Sequence, residues 1–427
     1  MIDAMSEPSP MKTRQQALDL MLSAVRPLQD VEQVPTLDAN GRILAAPVCS
    51  QLHVPPFDNT QMDGYAVRAA DCANGTARLR VSDRIPAGKI GQALESGCCA
   101  RIFTGAFIPA GADAVVMQEQ CLADGDFVTI NHIPKAGEWI RRAGEDIMAG
   151  SQILAAGVRL GPAELGLAAS VGLAELDVLR RLRVAVFFTG DELTMPGQAL
   201  RPGAIYNSNR FILRALLENL GCTISDLGIV PDSLDATRSA LRTAAAEHDL
   251  IITSGGVSVG EEDHVRPAVE AEGSINMWQI AIKPGKPLAF GQVRRHAHIS
   301  TMNGADGPND PDGDPCYFIG LPGNPVSCLI TFLLLVRPFI LRMQSVQGVA
   351  PNGFALRADF DWPKADRRNE FLRARINANG GLDLFPHQGS GVLTSAVWGD
   401  GVIDNPPGQV IKPGDMVHFI PFNNLLF

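Results

Sequence analysis

The chain has 427 residues, with 36 Lys and Arg against 46 Asp and Glu, and a formal net charge of −10. That balance argues against a nucleic-acid surface and requires any anion site to be built locally. The length exceeds what one core serves and predicts about three domains.

Eight cysteines are scattered, with only Cys98 and Cys99 adjacent and no C-x-x-C. Neither a zinc site nor a disulfide framework is indicated, which fits a reduced cytoplasmic setting. The stretch Met1 to Arg14 has no apolar h-region, so no signal peptide is expected. The longest apolar run, Val326 to Val336, is expected to be cut by Arg337-Pro338 and to fall short of the ~20 residues that span a bilayer.

In chain order, Ala17, Leu18, Met21, Leu22 and Val25 space an amphipathic helix within Met11 to Val25. Arg42 to Val54 reads as a short strand entering a loop. That loop, Val54 to Arg68, is stiffened by Pro55-Pro56, carries Asp58 and Asp63, and has a turn signal at Asp63-Gly64 before a strand. Ala77 to Val128 is β-like, including Ile102-Phe103-Thr104-Gly105-Ala106 and Ala114 to Met117. Ile140 to Ile147 sets Arg141 and Arg142 beside Glu145 and Asp146, as in a solvated salt-bridge cluster. Ser151 to Val171 has helical patterning, with Pro162 near a helix start.

From Arg183 the pattern changes. Val184 to Phe188 is a continuous apolar strand, as in a parallel sheet buried on both faces. It ends in Thr189-Gly190-Asp191-Glu192. A turn at Tyr206-Asn207-Ser208-Asn209 leads to a helix that stops at Gly221. Ile224 to Val230 is a strand, Pro231-Asp232-Ser233 a cap, and Leu234 to Glu247 a helix. Leu250 to Ile252 begins another buried strand, which breaks into Ser254-Gly255-Gly256-Val257-Ser258-Val259-Gly260 and three acids, Glu261, Glu262 and Asp263.

Alternation of strand and helix predicts a doubly wound α/β domain, which binds ligands beyond the carboxyl ends of its strands. A Gly-rich loop suits an anion, and acids beside it suit a phosphate only with a divalent cation between them. An ordinary strand-to-helix turn is the plain alternative. Ile282 to Pro287 adds Lys283 and Lys286. Gly320 to Ser327 is a strand-to-helix turn with Asn324 as N-cap and Pro325 as N1. Asp310, Asp312 and Asp314 lie in a polar stretch, Arg294 to Cys316, that reads as a solvated loop. Ala355 to Phe427 reads as a small all-β domain, with Arg373 and the turn His387 to Gly391 its chemically suggestive features.

Met62 to Val67, Thr189 to Glu192, Ser254 to Gly260, Lys283 to Pro287 and Gly320 to Pro325 occur in the order seen in the MoeA family. The chain resembles these molybdopterin molybdenumtransferases, relatives of the gephyrin E domain, over nearly its whole length. The resemblance implies an elongated, multi-domain α/β plus β subunit. Its parts would be an N-terminal helical and linking lobe (1–50 and 150–180), a β-rich second lobe (51–149), a central molybdopterin-binding α/β domain (181–345) and a C-terminal small β-barrel-like domain (346–427).

The reaction it implies is insertion of molybdate into adenylylated molybdopterin with Mg²⁺, releasing AMP, in a cytoplasmic homodimer that contacts the molybdopterin adenylyltransferase. Catalytic roles would fall to Asp63, Thr104, Asp146, Glu192, Asp232, Asp263 and Lys283, the first three reaching the cleft from the partner subunit. Mg²⁺ would be held by Glu192, Asp232 and Asp263. The pterin compound would sit on Thr189, Ser254, Gly255, Gly256, Ser258, Gly260, Pro322, Gly323 and Asn324. Molybdate would sit on Lys286, Pro287, Ser327, Arg373, Gly389 and Ser390. Gln279 stands where the family often has a lysine, which would remove one cation from the cleft. A molybdopterin carrier or scaffold without transferase activity, and a nucleotide-dependent hydrolase of the CinA type, stay as alternatives.

Overall fold

The computed structural model describes residues 11–256, 264–295 and 316–426. It divides into two compact units: the described residues of Met1–Glu32, Gly41–Ile43 and Val178–Phe427, and those of Gln33–Asn40 and Leu44–Asp177.

The second unit is β-rich. Its six-stranded sheet runs Ala114–Met117, Gly64–Val67, Cys98–Ile102, Ala77–Ile85, Phe127–Ile130, Cys121–Asp124. Gly64 does not turn the chain but opens a central strand. A Cβ there would lie 2.0 Å from the carbonyl oxygen of Val116, so only glycine lets the neighbouring strand close in. The stretch Ser151 to Val171 is not one helix. Gln152–Leu154 is a strand paired with Val48–Cys49, and the helix is Pro162–Ser170, with proline at its first turn as its missing N–H allows.

The first unit carries the doubly wound sheet. Its strands are β1 (Arg183–Thr189), β2 (Thr223–Val230), β3 (Leu250–Ser254), β4 (Gly273–Gln279), β5 (Pro287–Val293) and β6 (Cys316–Leu321), in spatial order β2-β1-β3-β6-β5-β4. The first four in that order are parallel; β5 and β4 are antiparallel additions at one side.

The inner strands β1, β3 and β6 are buried on both faces, and side-chain alternation divides them between two cores. Val184, Val186, Phe188, Leu250 and Ile252 face one, against helix α1 (Ser208–Asn219) through Leu213, Leu216 and Leu217. Ala185, Phe187 and Ile251 face the other, against α2 (Leu234–Glu247) and α3 (Val265–Glu272) through Leu241, Ala244 and Ala268. Truncating a buried phenylalanine such as Phe187 costs ~3–5 kcal/mol.

Arg337-Pro338 does not stop the apolar run. The segments Pro325–Thr331, Phe332–Val336 (a π turn) and Arg337–Met343 are continuous, making a 19-residue helix. The widened turn accommodates the N–H that Pro338 lacks. This helix is long and apolar enough to cross a membrane, but 89% of its apolar window is buried inside the protein.

A second six-stranded sheet of this unit orders Ile282–Lys283, Asn369–Ile376, Gly401–Asn405, Met416–Pro421 and Phe354–Arg357, with Leu382–Leu384 added on Asn369–Ile376. Its edge strand Ile282–Lys283 comes from the connection between β4 and β5. Phe371, Val402 and Ile420 join the same apolar cluster as the central sheet.

Candidate functional site: a cleft on the rim of the parallel sheet

Register brings the strand ends to one level. Phe188 pairs with Ser254, Ser254 with Leu321, and Thr189 with Val230. The turns after β1, β3 and β6 therefore emerge side by side, where parallel sheets bind ligands. Gly255 follows Ser254 with φ +98°, and its N–H donates to the Leu321 carbonyl at 3.1 Å. A Cβ on Gly255 would lie 2.8 Å from the Thr189 carbonyl oxygen. Glycine is needed here for both the backbone conformation and the close approach.

Asn209 ties these turns together. From the first turn of α1 its Nδ2 donates to Ser254 Oγ at 2.8 Å and to the Gly323 carbonyl at 2.7 Å. Ser254 Oγ donates onward to the Pro322 carbonyl at 3.0 Å. Asn207, the N-cap of α1, accepts from the Arg210 N–H. Asn324 occupies the N-cap position before Pro325, but its side chain makes no cap bond and lines the cleft instead.

The facing wall comes from the strand Ile282–Lys283. Lys283 Nζ lies 2.9 Å from Glu370 Oε1 and 3.3 Å from Asp366 Oδ2. Arg368 holds Asp366 through two more bonds, at 2.9 and 3.0 Å. Arg368 is the main reason that the Asp366 carboxyl is held well below the usual carboxylate range. Lys283 and Arg368 are thus neutralised in place. Lys286 is different: its ammonium is exposed and makes no ion pair or hydrogen bond among the described residues.

The third wall is Gln388-Gly389-Ser390. The Ser390 carbonyl accepts from the Val326 N–H at 2.9 Å. Behind it lies Arg373, wholly buried. Its guanidinium donates to Ser395 Oγ (3.0 Å), the Phe371 carbonyl (2.9 Å) and the Gly389 carbonyl (3.4 Å). Burial lowers its pKa to about 10, which leaves it cationic at neutral pH.

The open cleft is ~720 Å³, a size that suits a nucleotide or larger ligand. It gathers Thr189, Glu192, Ser254, Gly255, Gly256, Lys283, Lys286, Pro287, Pro322, Gly323, Asn324, Ser327, Gly389 and Ser390. Arg373 stands one layer behind the lining, holding the Gly389 loop. Asp232 is exposed in the turn after β2 and is not among the lining residues; Gln279 ends β4 opposite Pro287 and is likewise outside the lining. Ser258, Gly260, Asp263 and the acids Asp310, Asp312 and Asp314 lie outside the described residues.

In the β-rich unit, Thr104 donates both its N–H and its hydroxyl to Asp63 Oδ1, each at 2.7 Å, and these two bonds hold the Asp63 carboxyl below its ordinary value. Asp146 lines a separate hollow of the same unit with Val54, Pro55, Arg141 and Glu145. Sequence reasoning missed Asn207, Asn209, Arg368 and Gln388 as lining residues, together with the apolar Phe188, Leu193 and Ile205. The available signal was an asparagine at each side of Ser208, at a helix start directly beyond a loop.

Among the described residues no group of three His, Cys, Asp or Glu is arranged to hold a metal ion. Glu192 is the one carboxylate among the described residues of the cleft lining. One carboxylate plus the phosphates of a ligand is a donor set that suits Mg²⁺, which keeps much of its own water. All eight cysteines are free thiols, and burial pushes Cys99, Cys316 and Cys328 up to about 12.

A parallel-sheet rim with a glycine-lined loop, an unpaired lysine and a fixed guanidinium behind it defines a binding domain for an anionic small ligand. Residues 12–172 match the family model for the MoeA N-terminal region (domain I and II), 185–342 that of a probable molybdopterin binding domain, and 355–422 that of the MoeA C-terminal region (domain IV). The molybdopterin molybdenumtransferase of Haemophilus influenzae is 39% identical over 425 residues, covering 97% of this chain and 100% of that protein. The enzyme of the same name from a Nostoc species is 38% identical, covering 86% and 82%. Two solved structures of the molybdopterin biosynthesis moeA protein of Pyrococcus horikoshii are also similar. They superpose with TM-scores of 0.75 and 0.80, at 29% and 26% identity, over 97% and 96% of this chain and 99% and 100% of theirs. The chain belongs to the MoeA family.

Proposed function

We propose that the protein is a molybdopterin molybdenumtransferase of molybdenum cofactor biosynthesis, inserting molybdate into adenylylated molybdopterin with release of AMP. The observation that carries this reading is the joining, in one cleft, of the Ser254-Gly255-Gly256 loop with the unpaired Lys286 and the buried Ser327. Backbone N–H groups of a glycine loop suit a pyrophosphate. Lys286, Ser327 and Ser390 offer one charge and two hydroxyls to a tetrahedral dianion, with the Arg373 charge behind Gly389 adding to the local field.

Glu192 would hold Mg²⁺ together with phosphate oxygens of the substrate. When bound, that ion supplies charge neutralisation at the phosphoanhydride that breaks. The chain's own residues orient the two substrates so that the dithiolene sulfurs, which belong to the pterin compound, meet the molybdate. No protein cysteine is required, in keeping with the absence of any cysteine from the described cleft lining.

A cytoplasmic homodimer suits the reading. The Asp63–Thr104 pair is proposed to serve the cleft of a second copy, and the adenylyltransferase that makes the substrate to be a transient partner. The test is incubation of the purified protein with adenylylated molybdopterin, Mg²⁺ and molybdate. AMP release dependent on molybdate is the expected result. Tight pterin binding with no AMP release would favour the carrier alternative and overturn the transferase reading.

A further inference from the structure

In the β-rich unit one guanidinium ties together the chain segments that meet at Asp63. Arg101 Nη1 donates to the Gly64 carbonyl at 2.7 Å and to the Ile102 carbonyl at 3.1 Å, and Nη2 donates to Gln118 Oε1 at 2.6 Å. Gly64 directly follows Asp63, Ile102 precedes Thr104 by two residues, and the Gln118 N–H donates to the Asp63 carbonyl at 3.1 Å. Strand register brings these segments together, since Gly64 pairs with both Ile102 and Met117. The Arg101 guanidinium also lies over the Phe103 ring, 4.5 Å from its centroid, and the Arg84 guanidinium lies at 4.5 Å from the same ring. An arginine can hydrogen-bond in its plane and stack through its face at once, which a lysine cannot.

Arg101 makes no ion pair among the described residues, so no carboxylate cancels its charge. The two Thr104 bonds are the main cause of the lowered Asp63 carboxyl, and the Arg101 charge lowers it further. Both Thr104 bonds go to Oδ1. Asp63 Oδ2 is not among the buried unpaired atoms and has no partner among the described residues. One oxygen is thus anchored and the other is left open in a fixed direction, the arrangement that a carboxylate serving a reacting group requires.

We propose that Arg101 is a positioning residue for the reaction: by tying Gly64, Ile102 and Gln118 it fixes the Asp63–Thr104 pair and the direction of the open carboxylate oxygen. The inference rests on the proposed function and on the role given there to that pair.

Full-length wild type, Asp63→Asn, Arg101→Gln and the double variant are compared in molybdate-dependent AMP release, followed in single turnover so that slow rates are measurable. Arg101→Gln lowers the rate at saturation about tenfold or more and leaves half-saturation by adenylylated molybdopterin within about twofold, because a displaced carboxylate costs rate and not binding. The double variant is no slower than Asp63→Asn, since a residue that acts through Asp63 has nothing left to position. A merely structural arginine would instead slow Asp63→Asn by the same factor as it slows wild type, and that result would overturn the inference. So would a folded Arg101→Gln protein with wild-type rate. If Arg101→Gln fails to fold, Gln118→Ala decides: this exposed side chain takes one bond from Arg101 and leaves the Gln118 N–H on Asp63. It should slow the reaction severalfold, again with no further loss in Asp63→Asn, and additive losses would overturn the inference equally. Asp63→Asn as fast as wild type would remove the pair, and Arg101 with it, from the reaction and leave the transferase reading standing. Wild type that releases no AMP would overturn that reading, and the inference with it.

Discussion

Lys283 Nζ and Glu370 Oε1 lie 2.9 Å apart, so the first lysine of the Lys-Pro-Gly-Lys loop is joined to the C-terminal sheet rather than held free for a ligand. Glu370 is 1% exposed and also accepts from Trp362 Nε1 at 2.8 Å. Removing its cation leaves a buried charge poorly compensated. Lys283→Ala is expected to lose about 1–3 kcal/mol in urea unfolding. Lys286→Ala, with no side-chain partner to abandon among the described residues, should unfold within about 0.5 kcal/mol of wild type yet need more molybdate for AMP release. Equal destabilisation by the two would show that Lys286 is also tied down.

Arg373 acts through the Gly389 loop. A lysine keeps the charge but cannot reach three acceptors with one ammonium. Arg373→Lys should raise the molybdate requirement about tenfold, the loss of one charge-assisted bond worth about 1.5–3 kcal/mol. Pyrophosphate binding should stay unchanged, since its proposed site is on the Gly255 loop. The check is a molybdate titration of AMP release beside calorimetric titration of pyrophosphate. Loss of pyrophosphate affinity would put Arg373 behind the wrong ligand.

Glu192 is exposed on the rim and is the carboxylate that the described cleft lining offers to Mg²⁺. Glu192→Gln should keep the melting temperature, since its side chain makes no hydrogen bond or ion pair among the described residues. The Mg²⁺ concentration for half-maximal AMP release should rise by about one order of magnitude. An unchanged Mg²⁺ requirement would assign the ion to other acids.

Gly255→Ala asks an L-residue to adopt φ +98° with its Cβ 2.8 Å from the Thr189 carbonyl oxygen. Strain and contact together should cost about 1–3 kcal/mol in urea unfolding. The loop should also move away from the position proposed to cup a pyrophosphate, so pyrophosphate affinity is expected to fall as well. A variant with unchanged stability and affinity would show that the loop relaxes without cost.

Asp249 sits at the opposite edge of the sheet, accepting from Arg180 at 2.7 and 3.0 Å and from the Arg183 N–H at 2.9 Å. Burial alone would raise its carboxyl, but Arg180 and the Arg183 N–H outweigh it and hold the pKa below the ordinary 3.8. A depressed carboxyl stabilises the fold fully above its unfolded pKa, and that contribution is lost as pH falls through the folded value. The urea midpoint should therefore exceed that of Asp249→Asn at pH 7, and the gap should close as pH drops below 3.8. A gap independent of pH would remove Asp249 from the acid response.

Much of this protein was legible before any coordinates. Val184 to Phe188 reads as a strand buried on both sides, and Pro231 to Ser233 as the cap of a helix from Leu234 to Glu247, because burial pattern and capping act within one element. The Gly255 loop and the Lys286 loop were legible as motifs for the same reason. Tertiary structure decided which of these residues share a wall. Asn209 matters because register brings Ser254 beside Leu321, so that the turn at Gly323 lies within reach of one side chain on α1. Lys283 is neutralised and Lys286 is not, because the edge strand Ile282–Lys283 pairs with Asn369–Glu370 and the chain leaves that sheet before Lys286. Arg373 went behind the cleft because it lies on the interior face of a sheet with Phe371, where a guanidinium finds backbone carbonyls in place of water. Pairing partners and desolvation depend on residues far away in sequence, and no local pattern encodes them.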